Sequence, residues 1–246
     1  MNEEKRSFVQ RLFTQIAPRY DWFNRLASCG LDRRWRRLAL AYGEIRPGQR
    51  VLDVCAGTGD LALLCARRQQ GHGEVLGIDM NREMLGWARR KQQAQGLSVR
   101  WCQGDAEELP FVADSFDRVL IGFSTRNLSN LIKGLQEMMR VLRPSGRLVV
   151  LETGYPRHPF LRWGYQAFLF TIGRFIGFVL TGRTWPFTYL ARSVRQFLTP
   201  QEFTEHLQRA GAQVQYIPLS CGLASLYVAT KEIPRSGMAQ NEHAAR

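Results

Sequence analysis

The 246-residue sequence predicts an α/β fold with a doubly wound, mostly parallel sheet, on three observations. Short apolar runs alternate with amphipathic helical stretches between residues 51 and 151. One run ends in a glycine-rich turn that opens a helix. Two further β-rich runs follow, joined by so short a link that only an antiparallel hairpin fits. Fully apolar strands alternating with helices are strands covered on both faces by crossover helices.

Each element follows in order. Phe8, Leu12, Phe13 and Ile16 recur at helical spacing before Pro18, and Trp35, Leu38 and Ala39 mark a second, basic helix. The turn Arg46-Pro47-Gly48-Gln49 ends this helical lobe, residues 1–48. In the core, residues 49–152, strands are expected at Val51–Cys55, Val75–Ile78, Ser98–Cys102, Arg118–Ile121 and Arg147–Leu151. Helices are expected at Asp60–Arg68, Arg82–Gln95 and Leu131–Leu142, the last with Ser129 as cap and Pro144-Ser145-Gly146 as stop. Residues 153–198 form an irregular insertion, whose stretch Ala167–Leu180 is apolar except for Thr171, two glycines and Arg174. It is shorter than the roughly 20 apolar residues that cross a bilayer. It reads either as a cap helix or as an interfacial element meeting a lipid-like substrate or a membrane. In residues 199–231, Thr199-Pro200-Gln201-Glu202 is a capping box, Gly211 closes its helix, and Gln213–Leu219 and Leu223–Thr230 form the hairpin. Residues 232–246 are polar and unpatterned, and a disordered tail is expected.

The formal net charge is +13, from 34 Lys+Arg against 21 Asp+Glu, and its position says more than its sum. Residues 1–50 carry a net +6 and residues 51–152 a net +1. Residues 153–198 carry six arginines and no carboxylate, and residues 199–246 are neutral. A nearly neutral core with two basic attachments argues against a nucleic-acid binder, which would carry a basic stripe interleaved with exposed aromatics. Five cysteines show no CxxC pair and no metal-ligand spacing with the four histidines, so no metal site is expected. An odd count without a secretory signal points to the reducing cytoplasm and to cysteines as small buried fillers.

The chemistry concentrates at three strand ends. Val51-Leu52-Asp53-Val54-Cys55-Ala56-Gly57-Thr58-Gly59-Asp60 is a strand, a glycine turn and a helix start. The glycines Gly57 and Gly59 let a cofactor press against backbone. Asp53 tips the choice of cofactor, because a pyrophosphate has no use for a carboxylate there. S-adenosylmethionine, with its sulfonium and ammonium groups, does. Asp79, followed by Met80 at the end of the second strand, can accept both ribose hydroxyls. Asp105 and Ala106 after the third strand can read adenine through its exocyclic amine and a ring nitrogen. Three such sites at the carboxyl ends of neighbouring strands converge on one crevice.

With these residues in place the chain resembles class I S-adenosylmethionine-dependent methyltransferases. More closely, it is similar to the ubiquinone/menaquinone biosynthesis C-methyltransferase family from about Phe13 to Lys231. Its most telling pieces are Ile16-Ala17-Pro18-Arg19-Tyr20-Asp21 with Asn24, Gly57-Thr58-Gly59-Asp60, Glu108-Leu109-Pro110-Phe111, Arg126-Asn127 and Glu137–Gly146 with Arg147-Leu148. The resemblance implies a Rossmann-like sheet of seven strands with the last antiparallel, and cofactor contacts at Thr58, Asp79, Asp105 and Ala106. It places Tyr20, Asn24, Arg126 and Asn127 around a quinol. Two departures touch the substrate side. Gly122 stands where the family has a cofactor-facing serine, with Ser124 nearby, and Glu152-Thr153-Gly154-Tyr155-Pro156 replaces a Glu-Phe-Ser-Lys-Pro pattern.

The expected reaction is methylation of a ring carbon of a prenylated demethyl-quinol. Arg126 would stabilise the developing phenolate, and Asn127 and Tyr20 would position the ring hydroxyls. His158, Asp21 and a water are the candidate bases. A phospholipid or other small-lipid methyltransferase, an RNA methyltransferase and a non-catalytic lipid carrier are the competing readings. The basic segments suit peripheral contact with an anionic membrane; nucleic acid is not an expected partner, and a homodimer is admitted.

Overall fold

The computed structural model describes residues 2–154, 156, 159–168, 170–171, 175, 178–179 and 185–233. The amino-terminal lobe comprises α1 (Asn2–Ile16), α2 (Tyr20–Ala27) and α3 (Leu31–Tyr42). Pro18 ends α1 in the single tight turn Ala17–Arg19. The sequence marked α1 and α3, but α2 has only eight residues, too few for a periodic signature of its own.

The sheet has seven strands: β1 (Arg50–Val54), β2 (Glu74–Asp79), β3 (Arg100–Gln103), β4 (Phe116–Gly122), β5 (Leu142–Thr153), β6 (Ala212–Leu219) and β7 (Ala224–Lys231). Their order is β3-β2-β1-β4-β5-β7-β6. The first five are parallel, and β7 runs antiparallel to both its neighbours, so the closing hairpin is as expected. Between the strands lie α4 (Asp60–Gln69), α5 (Arg82–Gln95) and α6 (Leu131–Val141). Alternate residues of each strand serve opposite faces. Leu52, Val54, Val119 and Ile121 pack with Met138 and Phe203 on one side. Val51, Leu120 and Val149 pack with Trp35, Leu40 and Ala62 on the other. Both faces are therefore dry, which is why the strands read as continuous apolar runs.

Two local expectations need correction. Asn130, not Ser129, caps α6: its side chain accepts the Lys133 N–H at 3.0 Å, while the Ser129 N–H donates to Glu107 Oε1 at 2.6 Å. The turn Pro144-Ser145-Gly146 does not stop α6 either. The helix ends at Val141, Leu142 already pairs with Phe116, and pairing resumes at Arg118 with Arg147 after the turn loops out.

The insertion supplies α7 (Pro159–Phe168) and α8 (Trp185–Gln196), followed by α9 (Pro200–Arg209). Thr199 and Glu202 close the reciprocal capping box on α9. Most of the apolar stretch 167–180, together with the tail from 234, lies outside the described residues. No helix among the described residues is long and apolar enough to cross a membrane. Of the cysteines only Cys65 is fully buried; Cys29 and Cys221 are exposed. Both occupy left-handed turn positions, φ 50° and 58°, which lie outside either core, so the expectation of buried fillers fails there.

Candidate active site

Parallel strands end together, and here β1, β2 and β4 deliver their carboxyl ends to one cleft roofed by α1. Asp53, Gly57, Thr58, Asp79, Met80, Gly122, Tyr20 and Asn127, eight of the residues singled out by sequence, line it, with Val9, Gln10 and Phe13 of α1 above them. Gly59 does not face this space. It sits at φ +84°, and a Cβ there would meet the Trp101 ring at 2.6 Å, so its glycine serves the packing of β3 against the turn. Gly122 is a close approach of another kind, because a Cβ would lie 2.6 Å from Leu61 Cδ1. Ser124, two residues on, lines the same cleft and donates to the Gly122 carbonyl at 3.1 Å.

The carboxylates are held from behind. Asp79 accepts the Gly57 N–H at 2.8 Å and the Asn81 N–H at 2.7 Å, one on each oxygen. Burial nevertheless pushes its carboxyl above the ordinary range. Asp53 is 1% exposed and accepts the Ala62 N–H at 2.9 Å, anchoring β1 to the first turn of α4. Burial drives its carboxyl up to about 8, against the pull of that N–H and of Arg36. Burial also holds the Cys55 thiol protonated, helped by the surrounding carboxylates. Arg36, on α3, is the one cation among the described residues lining the cleft. It is 7% exposed, pairs with Asp32 and lies 3.6 Å from Asp60.

Asp105 and Ala106 line an adjoining recess that shares Cys55, Asp79, Met80 and Asn127 with the cleft. One Asp105 oxygen accepts the Glu107 N–H at 2.9 Å, and the other pairs with Arg6 of α1. Lys5 of α1 donates to the Arg126 and Leu128 carbonyls, and Asn81 donates to the Gln10 carbonyl and Thr14 hydroxyl. The roof is thus tied down on both sides.

Asn24 and Arg126 face a second, largely apolar cavity, walled by Phe23 and Ala27 of α2, Trp35 of α3, Tyr165 and Phe168 of α7, and Val194 of α8. Arg126 forms an ion pair with Glu152, whose side chain is 1% exposed. Glu152 accepts further hydrogen bonds from Thr125 Oγ1 at 2.6 Å and from the Thr153 N–H at 2.8 Å. Among the described residues two buried side-chain atoms have no hydrogen-bond partner, Asn24 Nδ2 and Arg126 Nε. Both belong to residues lining this cavity. A buried donor without an acceptor is costly, and a ligand oxygen would relieve it. Tyr165 is enclosed beside them, its phenol pushed by burial up to about 12. Burial raises the Tyr20 phenol as well. Asn127 accepts the Tyr189 hydroxyl at 3.2 Å.

Asp21 is not at either space. Its carboxylate accepts from Thr58 Oγ1 and, at 2.8 Å, from Lys91 Nζ on an outer groove, so it is no base for this site. His158 lies outside the described residues. Sequence reasoning missed Arg36, Tyr165, Arg6 and the anchoring role of Glu152. Arg36, Tyr165 and Arg6 sit in no motif; Glu152 heads the segment 152–156, but its tie to Arg126 is distant in sequence, as is that of Arg6 to Asp105 and Glu107.

A family model described as the ubiE/COQ5 methyltransferase family matches residues 1–231. A demethylmenaquinone methyltransferase of Thermus thermophilus is 42% identical over 219 residues, covering 88% of this chain and 98% of that protein. A ubiquinone/menaquinone biosynthesis C-methyltransferase UbiE of Methylococcus capsulatus is 37% identical, with 91% and 92% covered. Among solved structures, a SAM dependent methyltransferase from Aquifex aeolicus superposes with a TM-score of 0.60 at 19% identity, covering 79% of this chain and 88% of that one. The YcgJ protein from Bacillus gives a TM-score of 0.60 at 21% identity over 81% and 99%. At such identities these two speak for the fold.

Proposed function

The chain belongs to the ubiE/COQ5 methyltransferase family, and from that premise we propose that it methylates a ring carbon of a prenylated demethyl-quinol with S-adenosylmethionine. The observation that carries the substrate side is the pair of orphaned donors, Asn24 Nδ2 and Arg126 Nε, on residues lining a largely apolar cavity. A ring with two oxygens and a greasy tail fits that distribution of polarity. A cationic headgroup fits less well, since the one carboxylate in the lining, Asp32, is already paired with Arg36, whereas the open groups are the donors of Asn24 and Arg126.

The cleft fits the cofactor by charge. S-adenosylmethionine supplies an electrophilic methyl on a sulfonium and carries a net positive charge; the lining carries Asp53, Asp60 and Asp79 against one arginine. Asp53 faces the ammonium end, Asp79 the ribose, and Asp105 with Ala106 the adenine. Arg36, the one cation lining the cleft among the described residues, takes the carboxylate. Thr58, Gly57, Met80 and Gly122 shape the space between.

On the acceptor side Glu152 fixes the guanidinium of Arg126, which is poised to stabilise a phenolate oxygen through its unpaired Nε–H. Arginine cannot itself accept the proton, because its guanidinium is already fully protonated. Asn24 orients the ring from the second cavity and Asn127 and Tyr20 from the cofactor cleft that they line, and the aromatic walls exclude water, so positioning carries much of the acceleration. His158 and a solvent water are the remaining candidates for the base. The lipid character of the substrate implies work at the surface of an anionic membrane in the cytoplasm.

Purified protein incubated with methyl-labelled S-adenosylmethionine and a short-chain demethyl-naphthoquinol under reducing conditions is expected to yield a ring-methylated product by mass spectrometry. Transfer to a phospholipid amine instead, or to neither, would overturn the reading.

A further inference from the structure

We propose that the outward face of α2, with the basic groove beside it, is the surface by which the protein sits on an anionic lipid bilayer while a prenylated substrate enters the second cavity. The proposal rests on the quinol reading above and adds to it the route of arrival.

Helix α2 has three faces, set by 100° per residue. Phe23 and Ala27 point into the second cavity. Asp21 and Arg25 point into an outer groove between α2, α3, α4 and α5. Trp22 and Leu26, one turn apart on the remaining face, are 59% and 44% exposed. A tryptophan and a leucine held in water one turn apart suit the interface between headgroups and acyl chains.

The groove presents six cationic side chains against three carboxylates. The carboxylates are engaged inside it: Lys91 pairs with Asp21 and Asp60, and Arg36 with Asp32 and Asp60. That leaves Arg25, Arg33, Arg37 and Arg67 with no ion pair among the described residues, along the rim next to the apolar stripe. The Arg25 guanidinium lies 5.4 Å over the Trp22 ring, joining charge to stripe. Helix α7, which walls the same cavity with Tyr165 and Phe168, carries Trp163 at 73% exposure. Uncommitted arginines beside an exposed apolar stripe match an anionic bilayer. RNA would meet the arginines and stack on Trp22, but it offers nothing to the aliphatic Leu26 one turn away, which an acyl chain covers.

The test uses the whole chain and sedimentation with vesicles of phosphatidylcholine alone or doped with phosphatidylglycerol. The variants are Trp22→Ser with Leu26→Ser, Arg33→Glu with Arg37→Glu, and Ile132→Ser on α6 as a control, each checked for folding by circular dichroism. Wild type and control are expected to bind the doped vesicles, and each double variant to bind at least tenfold more weakly. The double variants should keep wild-type turnover of a short-chain quinol in detergent and show a raised KM for a long-prenyl quinol embedded in vesicles. Wild-type affinity in both double variants, or no wild-type binding to doped vesicles, overturns the docking face. So does capture by RNA in preference to vesicles. Failure of wild type to methylate either quinol would overturn the functional reading instead, and the vesicle arm would still decide the surface.

Discussion

At Asp53 the cost of burial and the gain in binding oppose each other. Its folded carboxyl stands near 8 against an ordinary value of 3.8, chiefly because burial removes its water. A carboxyl raised in the folded state favours folding least at high pH: the stability present below its unfolded value is lost as pH rises towards 8. Asp53→Asn keeps the acceptor for the Ala62 N–H without the charge. It is expected to be more stable than wild type at pH 9, by about 1–3 kcal/mol, and indistinguishable at pH 4, in denaturant titrations. The same variant should bind S-adenosylmethionine more weakly. At pH 7 the wild type should release a proton on binding, visible as a buffer-dependent heat in calorimetry. Arg36 gives a sharper test of ligand contact. Arg36→Met removes the cleft's cation but also leaves Asp32 buried without its partner, so a loss of stability alone proves nothing. The discriminating measurement compares S-adenosylhomocysteine with methylthioadenosine, which lacks the amino-acid end. Affinity for the first should fall about 10- to 100-fold, as loss of a charged hydrogen bond implies, with the second unchanged. Equal losses would make Arg36 a structural residue only. Asp53 announces itself in sequence because it sits on a strand before a glycine turn. Arg36 does not, because its role depends on α3 meeting the cleft from a helix that precedes the sheet.

Among the elements, α1 is the one whose sequence says least about its role. Its apolar spacing predicts a helix, yet nothing in that spacing says it roofs the cleft with Val9 and Phe13 or that Arg6 reaches Asp105. The strands were legible because both faces of the sheet are dry, and α9 because its cap is local to four residues. The missed α2 and the shifted cap of α6 were illegible for opposite reasons. One is too short to have a period; the other competes with Ser129, whose amide is taken by Glu107, far from it in sequence. Because α1 is held mainly by contacts at the cleft, removing it should cost binding more than folding. Deletion of residues 2–16 is expected to leave a cooperatively folded core while lowering cofactor affinity at least tenfold. That is what burying even one apolar side chain of Val9 or Phe13 size against a ligand supplies. Calorimetry with S-adenosylhomocysteine and a thermal melt decide it. Retained affinity would show that α1 does not contact the cofactor, and a lost melting transition would make it part of the folding unit.

Across the whole molecule the charge of +13 is unevenly spent. Described carboxylates such as Glu74, Asp117, Glu137 and Glu152 already sit in ion pairs with arginines, so the excess is positive charge facing its own kind. It is concentrated in the lobe before the sheet and in the insertion after β5, the two parts that wall the second cavity. Like charges repel across distances comparable to the Debye length, about 10 Å at 0.1 M salt and threefold longer at 0.01 M. Added salt should therefore stabilise this protein, since screening relieves the net repulsion more than it weakens exposed pairs, which contribute at most about 1 kcal/mol each. Between 0.01 and 0.3 M sodium chloride the Tm is expected to rise by several degrees, with the gain reduced in Arg33→Glu/Arg37→Glu, where two of the crowded charges are reversed. A Tm that falls with salt would mean the surface pairs outweigh the repulsion, and that the basic excess is spread too widely to act as one field.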